Sequence, residues 1–293
     1  MKPMTERSIS QRTRQLLKQH GLTLKKSLGQ HFLIDDHILD KIIGAAELDS
    51  NTGVLEIGPG IGALTERLAE EAGAVAAVEL DNRLVPVLTQ LFVAYPHVSI
   101  IHGDAMELDL REIIEQKLAG TTRRSVVANL PYYVTSPILM RLLEERLPLH
   151  NIVIMIQKEV AERLTAEPGS KAYGAITVTA RYFAETEWIA RVPSHVFVPR
   201  PQVDSAVIRL RIRKEPSVSV RDEGLFFRVV KAAFAQRRKT LSNTLSANLF
   251  PGIEKNELIG WLQEAGIDPK RRGETLSLEE FAELSNLLAD KNP

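Results

Sequence analysis

Between Gly53 and Gln157, short and almost wholly apolar runs alternate with stretches whose apolar residues recur every three or four positions. The runs are Val54–Ile57, Val75–Leu80, Val98–His102, Val126–Leu130 and Ile152–Ile156, with helical patterns over 62–72, 82–94, 109–119 and 136–146 between them. Strands this uniformly apolar are covered on both faces, and their alternation with helices predicts right-handed βαβ crossovers. The expected fold class is α/β, with a doubly wound, mostly parallel sheet. A helix over 158–165 precedes Ile176–Phe183, Glu187–Val192 and Ser205–Ile212, three runs with no helical pattern between them. They predict an antiparallel edge on the same sheet. Beyond Lys214-Glu215-Pro216 the pattern is helical, over 222–236, 239–249, 254–265 and 277–289, broken at Pro251-Gly252 and Asp268-Pro269. The expected organisation is an N-terminal segment (1–30), a ligand-binding α/β domain (31–214) and a smaller all-helical C-terminal domain (215–293).

Composition narrows the function classes. The 293 residues are 44% hydrophobic and 25% charged, an ordinary globular balance, and they include no cysteine. That excludes a disulfide framework, a thiolate zinc site and a cysteine nucleophile together. No apolar run approaches the roughly 20 residues that span a bilayer, and no signal-peptide core is evident, so a cytoplasmic protein is expected. The zero formal charge hides a division. Residues 1–30 hold seven Lys/Arg and one acid, 31–199 hold 14 and 23, 200–240 hold 11 and four, and 241–293 hold five and nine. Two basic segments beside an acidic body hint at a polyanionic partner.

The candidate chemistry lies at strand ends. Leu55-Glu56-Ile57-Gly58-Pro59-Gly60-Ile61-Gly62 runs from the first apolar strand into a helix. Its glycines allow a sharp turn and close approach to a ligand. The spacing is G-x-G-x-G, not the G-x-G-x-x-G of dinucleotide folds, and Glu56 beside it suits a cationic or zwitterionic ligand better than a pyrophosphate. Glu79 ends the second strand, where a carboxylate can accept both hydroxyls of a ribose. Asp104 ends the third, placed to accept from an adenine amino group. The two acids and the glycine loop come from three successive strands and meet where such sheets bind ligands.

The fourth strand runs into Asn129-Leu130-Pro131-Tyr132-Tyr133. With the glycine loop, Glu79 and Gly103-Asp104-Ala105, this series resembles the motifs of S-adenosylmethionine-dependent adenine-N6 methyltransferases. The chemistry accounts for the residue types. The adenine amino lone pair is delocalised into the ring, so the nitrogen is a poor nucleophile. The Asn129 side-chain oxygen and the Leu130 or Pro131 carbonyl can accept its two N–H bonds, favouring a pyramidal nitrogen aimed at a sulfonium methyl. Tyr132 would stack on a base that is unpaired or taken out of its helix. No strong general base is needed.

Further segments resemble one family, the rRNA adenine dimethyltransferases. They are Lys26-Ser27-Leu28-Gly29-Gln30-His31-Phe32-Leu33, Gln157–Arg163, Phe197–Val207 and Phe234–Leu241, so that the likeness spans about 20–290. The branch most resembled dimethylates two adjacent adenosines in the 3′-terminal hairpin loop of 16S rRNA. The resemblance implies a Rossmann-like methyltransferase domain with S-adenosylmethionine contacts at His31, Leu33, Gly58, Gly60, Glu79, Asp104 and Asn129. The catalytic set is then Asn129, Leu130, Pro131 and Tyr132. His31 departs from the asparagine usual in the family, though an imidazole also donates a hydrogen bond. Lys25, Lys26, Arg228, Lys231, Arg237, Arg238 and Lys239 become candidates for RNA phosphates. Phe226, Phe227 and Phe234 read as core. The resemblance implies 16S rRNA in the small subunit or its precursor as partner. A monomer is expected, with no metal because the remaining histidines lack metal-ligand spacing, and with no membrane because no apolar run is long enough to span one. The alternatives are a 23S rRNA adenine-N6 methyltransferase of the macrolide-resistance type, or a non-catalytic ribosome-assembly or transcription factor on the same fold.

Overall fold

In the computed structural model of the chain, residues 9–21 and 29–291 are described. The first stretch holds α1 (Ile9–Gln19). From residue 29 the order is β1 (Phe32–Leu33), α2 (Asp36–Ala46), β2 (Thr52–Ile57), α3 (Ala63–Glu71), β3 (Ala74–Glu79), α4 (Val85–Leu91), β4 (Val98–His102), α5 (Leu110–Lys117), β5 (Arg123–Asn129), α6 (Thr135–Glu144) and β6 (Asn151–Gln157). Then come α7 (Lys158–Leu164), α8 (Ala175–Phe183), β7 (Ala184–Val192), β8 (Phe197–Val198), β9 (Ser205–Ile212), α9 (Glu223–Phe234), α10 (Leu241–Asn248), α11 (Lys255–Glu264) and α12 (Leu278–Lys291).

The main sheet has the strand order β4-β3-β2-β5-β6-β9-β7. Pairings from β4 through to β6 are parallel, and β9 joins β6 antiparallel, with Gln157 opposite Ser205. The main sheet starts at β2, winds outward through β3 and β4, then returns to β5 on the other side of β2. Ligands bind in such sheets where the winding reverses, outside the carboxyl ends of the strands, which here means the ends of β2 and β5. The middle of both strands is buried because both faces are covered. Val54, Val127, Val153 and Val207 share a core with Leu39 and Ile42 of α2 and Leu64 and Leu68 of α3. A separate two-stranded sheet pairs β1 with β8, Phe32 opposite Val198 and Leu33 opposite Phe197. Neither short strand is long enough to show a periodicity in the sequence.

Asp35 caps α2 by accepting from the Ile38 N–H at 2.9 Å. At its other end, the Arg209 guanidinium donates to the Ala45 carbonyl (3.2 Å) and to Glu47 (2.8 Å), and also pairs with Glu187. This ties α2, which supplies part of the ligand pocket, to β9 and β7.

The chain divides into two compact units. One takes the described chain through Ala161 together with Glu187–Ile212; the other takes Glu162–Thr186 and the chain from Arg213 onward. The segment 162–186, on the α/β side of the sequence boundary near 215, thus groups with the C-terminal helices. Within it, Ile176–Phe183 is the helix α8 and not the expected strand. The four consecutive β-branched residues Ile176-Thr177-Val178-Thr179 favour a strand locally. Seven of the nine helix residues are buried, which removes the polar stripe that marks a surface helix. Gly174 starts the helix, its N–H donating to Thr177 Oγ1 at 3.1 Å, and α8 packs on α9 and α12. Phe226 is fully buried and stacks on Tyr182, as a core residue should.

Candidate active site at the carboxyl end of the sheet

Gly58, Gly60 and Gly62 follow β2 with φ of 73°, 60° and 85°, the left-handed region that glycine enters without strain. At Gly60 space also matters, since a Cβ there would lie 2.8 Å from the Phe32 ring. The turn is held by Glu79. Its Oε2 accepts from the Gly60 N–H (3.0 Å) and its Oε1 from the Asp81 N–H (2.7 Å). Each oxygen retains a lone pair for a further donor. Above this turn opens a pocket lined by the glycine loop, Glu56, Glu79, Asp104, Asn129–Val134 and the segment Gly29–Leu33.

The pocket holds two acids of unusual basicity. Glu56 is 1% exposed, and one of its oxygens, Oε2, has no hydrogen-bond partner. Burial pushes its carboxyl up to about 8, with Thr65 working against the rise and the Glu79 charge adding to it. Burial also raises Glu79, against the N–H bonds of Asp81 and Gly60. Asp81, by contrast, is held at about 2, chiefly by hydrogen bonding to Arg83. Asp81 also accepts from Gln30 (3.2 Å) and so anchors one end of the 29–33 segment.

The other end of that segment is fixed by β8. Besides the β1–β8 pairing, His31 Nδ1 lies 2.7 Å from the Pro199 carbonyl. A carbonyl only accepts, so Nδ1 carries the proton. The His31 carbonyl accepts from Asn129 Nδ2 at 3.1 Å, which orients the amide and leaves Oδ1 as its open acceptor. Beyond Asn129, the Leu130 N–H is bonded to the Met155 carbonyl (3.2 Å). The Pro131 carbonyl accepts from Val134 N–H and Thr135 Oγ1, both at 3.2 Å. Tyr132 is half-buried, with its hydroxyl 2.8 Å from Ser205 Oγ and its ring 5.7 Å from the His31 ring at 27°. Tyr133 is 56% exposed at the pocket's edge.

The glycine turn, the acids Glu56 and Glu79 and the Asn129 amide beside Tyr132 thus line one pocket. A family model for "Ribosomal RNA adenine dimethylase" matches residues 21–290. The chain belongs to the ribosomal RNA adenine dimethylase family. Ribosomal RNA small subunit methyltransferase A of Geobacillus thermodenitrificans is 55% identical over 278 residues, covering 94% of this chain and 95% of the relative. The protein of the same name from Shouchella clausii is 56% identical over 277 residues, 94% of each chain. Among solved structures, a dimethyladenosine transferase from Plasmodium falciparum is similar with a TM-score of 0.74 and 26% identity. That match covers 89% of this chain and 98% of the other. The 23S rRNA methyltransferase ErmE matches with a TM-score of 0.68, also at 26% identity, covering 88% and 99%.

As a ribosomal RNA adenine dimethylase, the chain belongs to an S-adenosylmethionine-dependent group, and its pocket suits that cofactor on its own geometry. The glycine turn leaves room, and the unpartnered Glu56 oxygen offers an acceptor to a cationic group. His31, Leu33, Gly58, Gly60, Glu79, Asp104 and Asn129, expected at the cofactor, and Leu130, Pro131 and Tyr132, expected with Asn129 to be catalytic, all line this pocket. Asp104 Oδ1 also accepts from the Met106 N–H (2.8 Å), which shapes the turn after β4. Among the described residues, no group of three or more His, Cys, Asp or Glu is arranged to hold a metal. No described helix is long and apolar enough to cross a membrane.

The RNA-binding candidates of this dimethylase fare less uniformly. Arg228 and Lys231 are exposed, three positions apart on α9. Arg237, Arg238 and Lys239 are exposed in the turn after α9, not on a helix. Arg237 is committed within its own unit, donating to the Lys171 carbonyl (2.6 Å) and pairing with Glu274 (3.3 Å). It braces the turn, leaving Arg238 and Lys239 as its outward cations. Lys25 and Lys26 lie outside the described residues. Gln30, Phe197 and Ser205 of the site were not singled out from sequence as site residues, although each lies in a segment that carries the family likeness.

Proposed function

We propose that the chain transfers methyl groups from S-adenosylmethionine to N6 of two adjacent adenosines in the 3′-terminal hairpin loop of 16S rRNA. The product is N6,N6-dimethyladenosine, made in the cytoplasm during biogenesis of the small ribosomal subunit by a monomeric enzyme. The observation that carries the reading is the Asn129 amide, its nitrogen tied to the His31 carbonyl and its oxygen left for a substrate amine. Relatives at 55% identity named as small-subunit rRNA methyltransferases support the choice of substrate.

When bound, the cofactor supplies an electrophilic methyl group on a sulfonium. Glu79 takes its ribose hydroxyls, Asp104 its adenine amino group, and Gly58 and Gly60 give room to its methionine part, with His31, Leu33 and Asn129 completing the contacts. Tyr132 stacks on the target adenine. Asn129 Oδ1 accepts one N6–H. The Pro131 carbonyl already accepts two hydrogen bonds, so the second acceptor is the Leu130 carbonyl. Two acceptors on the amine favour a pyramidal nitrogen and aim its lone pair, so that positioning supplies the rate. At each transfer one N6 proton is lost to water from the N–H these oxygens hold. Arg228, Lys231, Arg238 and Lys239, with Lys25 and Lys26, meet phosphates.

The test is transfer of labelled methyl groups to small subunits lacking the modification, followed by nucleoside analysis and primer-extension mapping on both rRNAs. Dimethyladenosine at the two adjacent 16S positions is expected. Modification confined to 23S rRNA would overturn the assignment in favour of a 23S rRNA methyltransferase such as ErmE.

A further inference from the structure

Tyr132 lines the pocket, yet its hydroxyl is bonded to Ser205, which is not among the lining residues. Ser205 is 1% exposed and opens β9, opposite Gln157 of β6. The residue before it is equally fixed. Asp204 Oδ1 accepts from the Ser194 N–H (2.9 Å), Oδ2 pairs with Arg191 (2.7 Å), and its carbonyl accepts from the Lys158 N–H (3.0 Å). Ser205 Oγ is therefore a rigid partner. The phenol stays protonated, because burial raises Tyr132 further above neutrality. The same ring stacks with His31, itself held through Nδ1 by the Pro199 carbonyl. A tyrosine beside a pocket turns about two side-chain bonds, and stacking on a flat base aligns it only if those rotations are already restricted.

We infer that Ser205 is a positioning residue of the methyl transfer, pinning the Tyr132 hydroxyl so that the ring stands as a preset platform for the target adenine. The inference rests on the adenine-N6 reading of the site. Ser205 touches neither cofactor nor base; it acts through Tyr132, and His31 restricts the same ring by stacking with it. The platform sets the angle at which N6 meets its two acceptors, so loosening it lowers the fraction of bound adenines in a reactive pose. The loss belongs in kcat and leaves cofactor affinity alone.

The experiment compares wild type, Ser205→Ala, Tyr132→Phe and the double variant, each full length. Readouts are kcat and KM for unmethylated small subunits and the cofactor dissociation constant. Ser205→Ala is expected to lower kcat about three- to tenfold, the worth of one neutral hydrogen bond, with the cofactor constant unchanged. Tyr132→Phe keeps the ring and loses the same bond, so it lowers kcat by a similar factor, and adding Ser205→Ala to it costs nothing more. Full turnover in Ser205→Ala, or losses that multiply in the double variant, would overturn the inference. Wild-type protein that leaves the small subunit unmethylated would instead overturn the proposed function, whatever the variants do.

Discussion

In a Glu56→Gln protein the pH dependence of stability flattens between pH 5 and 7. The carboxyl is buried with one oxygen unpartnered, and burial lifts it from an ordinary 4.5 to about 8. Between those values the folded protein keeps a proton that the unfolded chain releases. Stability therefore falls as pH rises through the window, by about 1.4 kcal/mol per unit from this group alone. From pH 5 to 7 that amounts to about 3 kcal/mol, or a melting shift on the order of 5 °C for a chain of this size. Burying a glutamine amide carries its own cost, but that cost is independent of pH and cancels when the two proteins are compared as slopes. Glu79, which is also raised, is common to both and cancels too. Calorimetric melting from pH 5 to 7 provides the comparison. A cationic ligand that displaces the proton gives the opposite sign: wild-type affinity for S-adenosylmethionine rises with pH by up to tenfold per unit, while the variant's stays level. Parallel melting curves for the two proteins would refute the buried, protonated Glu56. Parallel affinity curves would refute its contact with the ligand's cationic group.

Asn129→Ala keeps small-subunit binding in a filter or sedimentation assay and loses turnover by on the order of 100-fold or more, the scale of one preorganised polar partner; full activity would remove Asn129 from its role. Gly60→Ala places a Cβ 2.8 Å from Phe32 at a φ of 60°, so a destabilisation of about 1–3 kcal/mol and weakened cofactor binding are expected by melting and calorimetry. Arg237→Ala lowers the melting temperature because it releases the turn from Lys171 and Glu274. Arg238→Ala and Lys239→Ala leave the melting temperature unchanged, and each reduces the slope of log affinity against log salt for rRNA by about one.

The site was legible where a residue type has few uses at a given place. Glycines at a strand–helix turn, acids ending β3 and β4, and Asn-Leu-Pro-Tyr ending β5 are bound to one end of a parallel sheet by topology. Their convergence follows once the alternation of strands and helices is read. What sequence pattern misses depends on partners far away in the chain. Ser205 sits in an ordinary apolar strand, and only contact with Tyr132, 73 positions earlier, gives it a task. β1 and β8 are two residues each, too short for alternation to show. α8 is misread because its β-branched residues are packed on nearly all sides, so burial replaces the helical stripe. Arg237 looks like its neighbours Arg238 and Lys239 in a charge count, and only its hydrogen bonds separate a brace from a phosphate ligand.

The pairing of β1 with β8 also sets a schedule for the newborn chain. His31 and Pro199 are 168 positions apart. At roughly 5–20 residues per second, a ribosome needs about 10–30 s after making the first to deliver the second. Until then the glycine turn and Asn129 have already been made, but the segment that closes over them has no strand to pair with. The active site is thus finished late in translation, and a chain arrested before β8 carries the catalytic motifs without the wall that orients them.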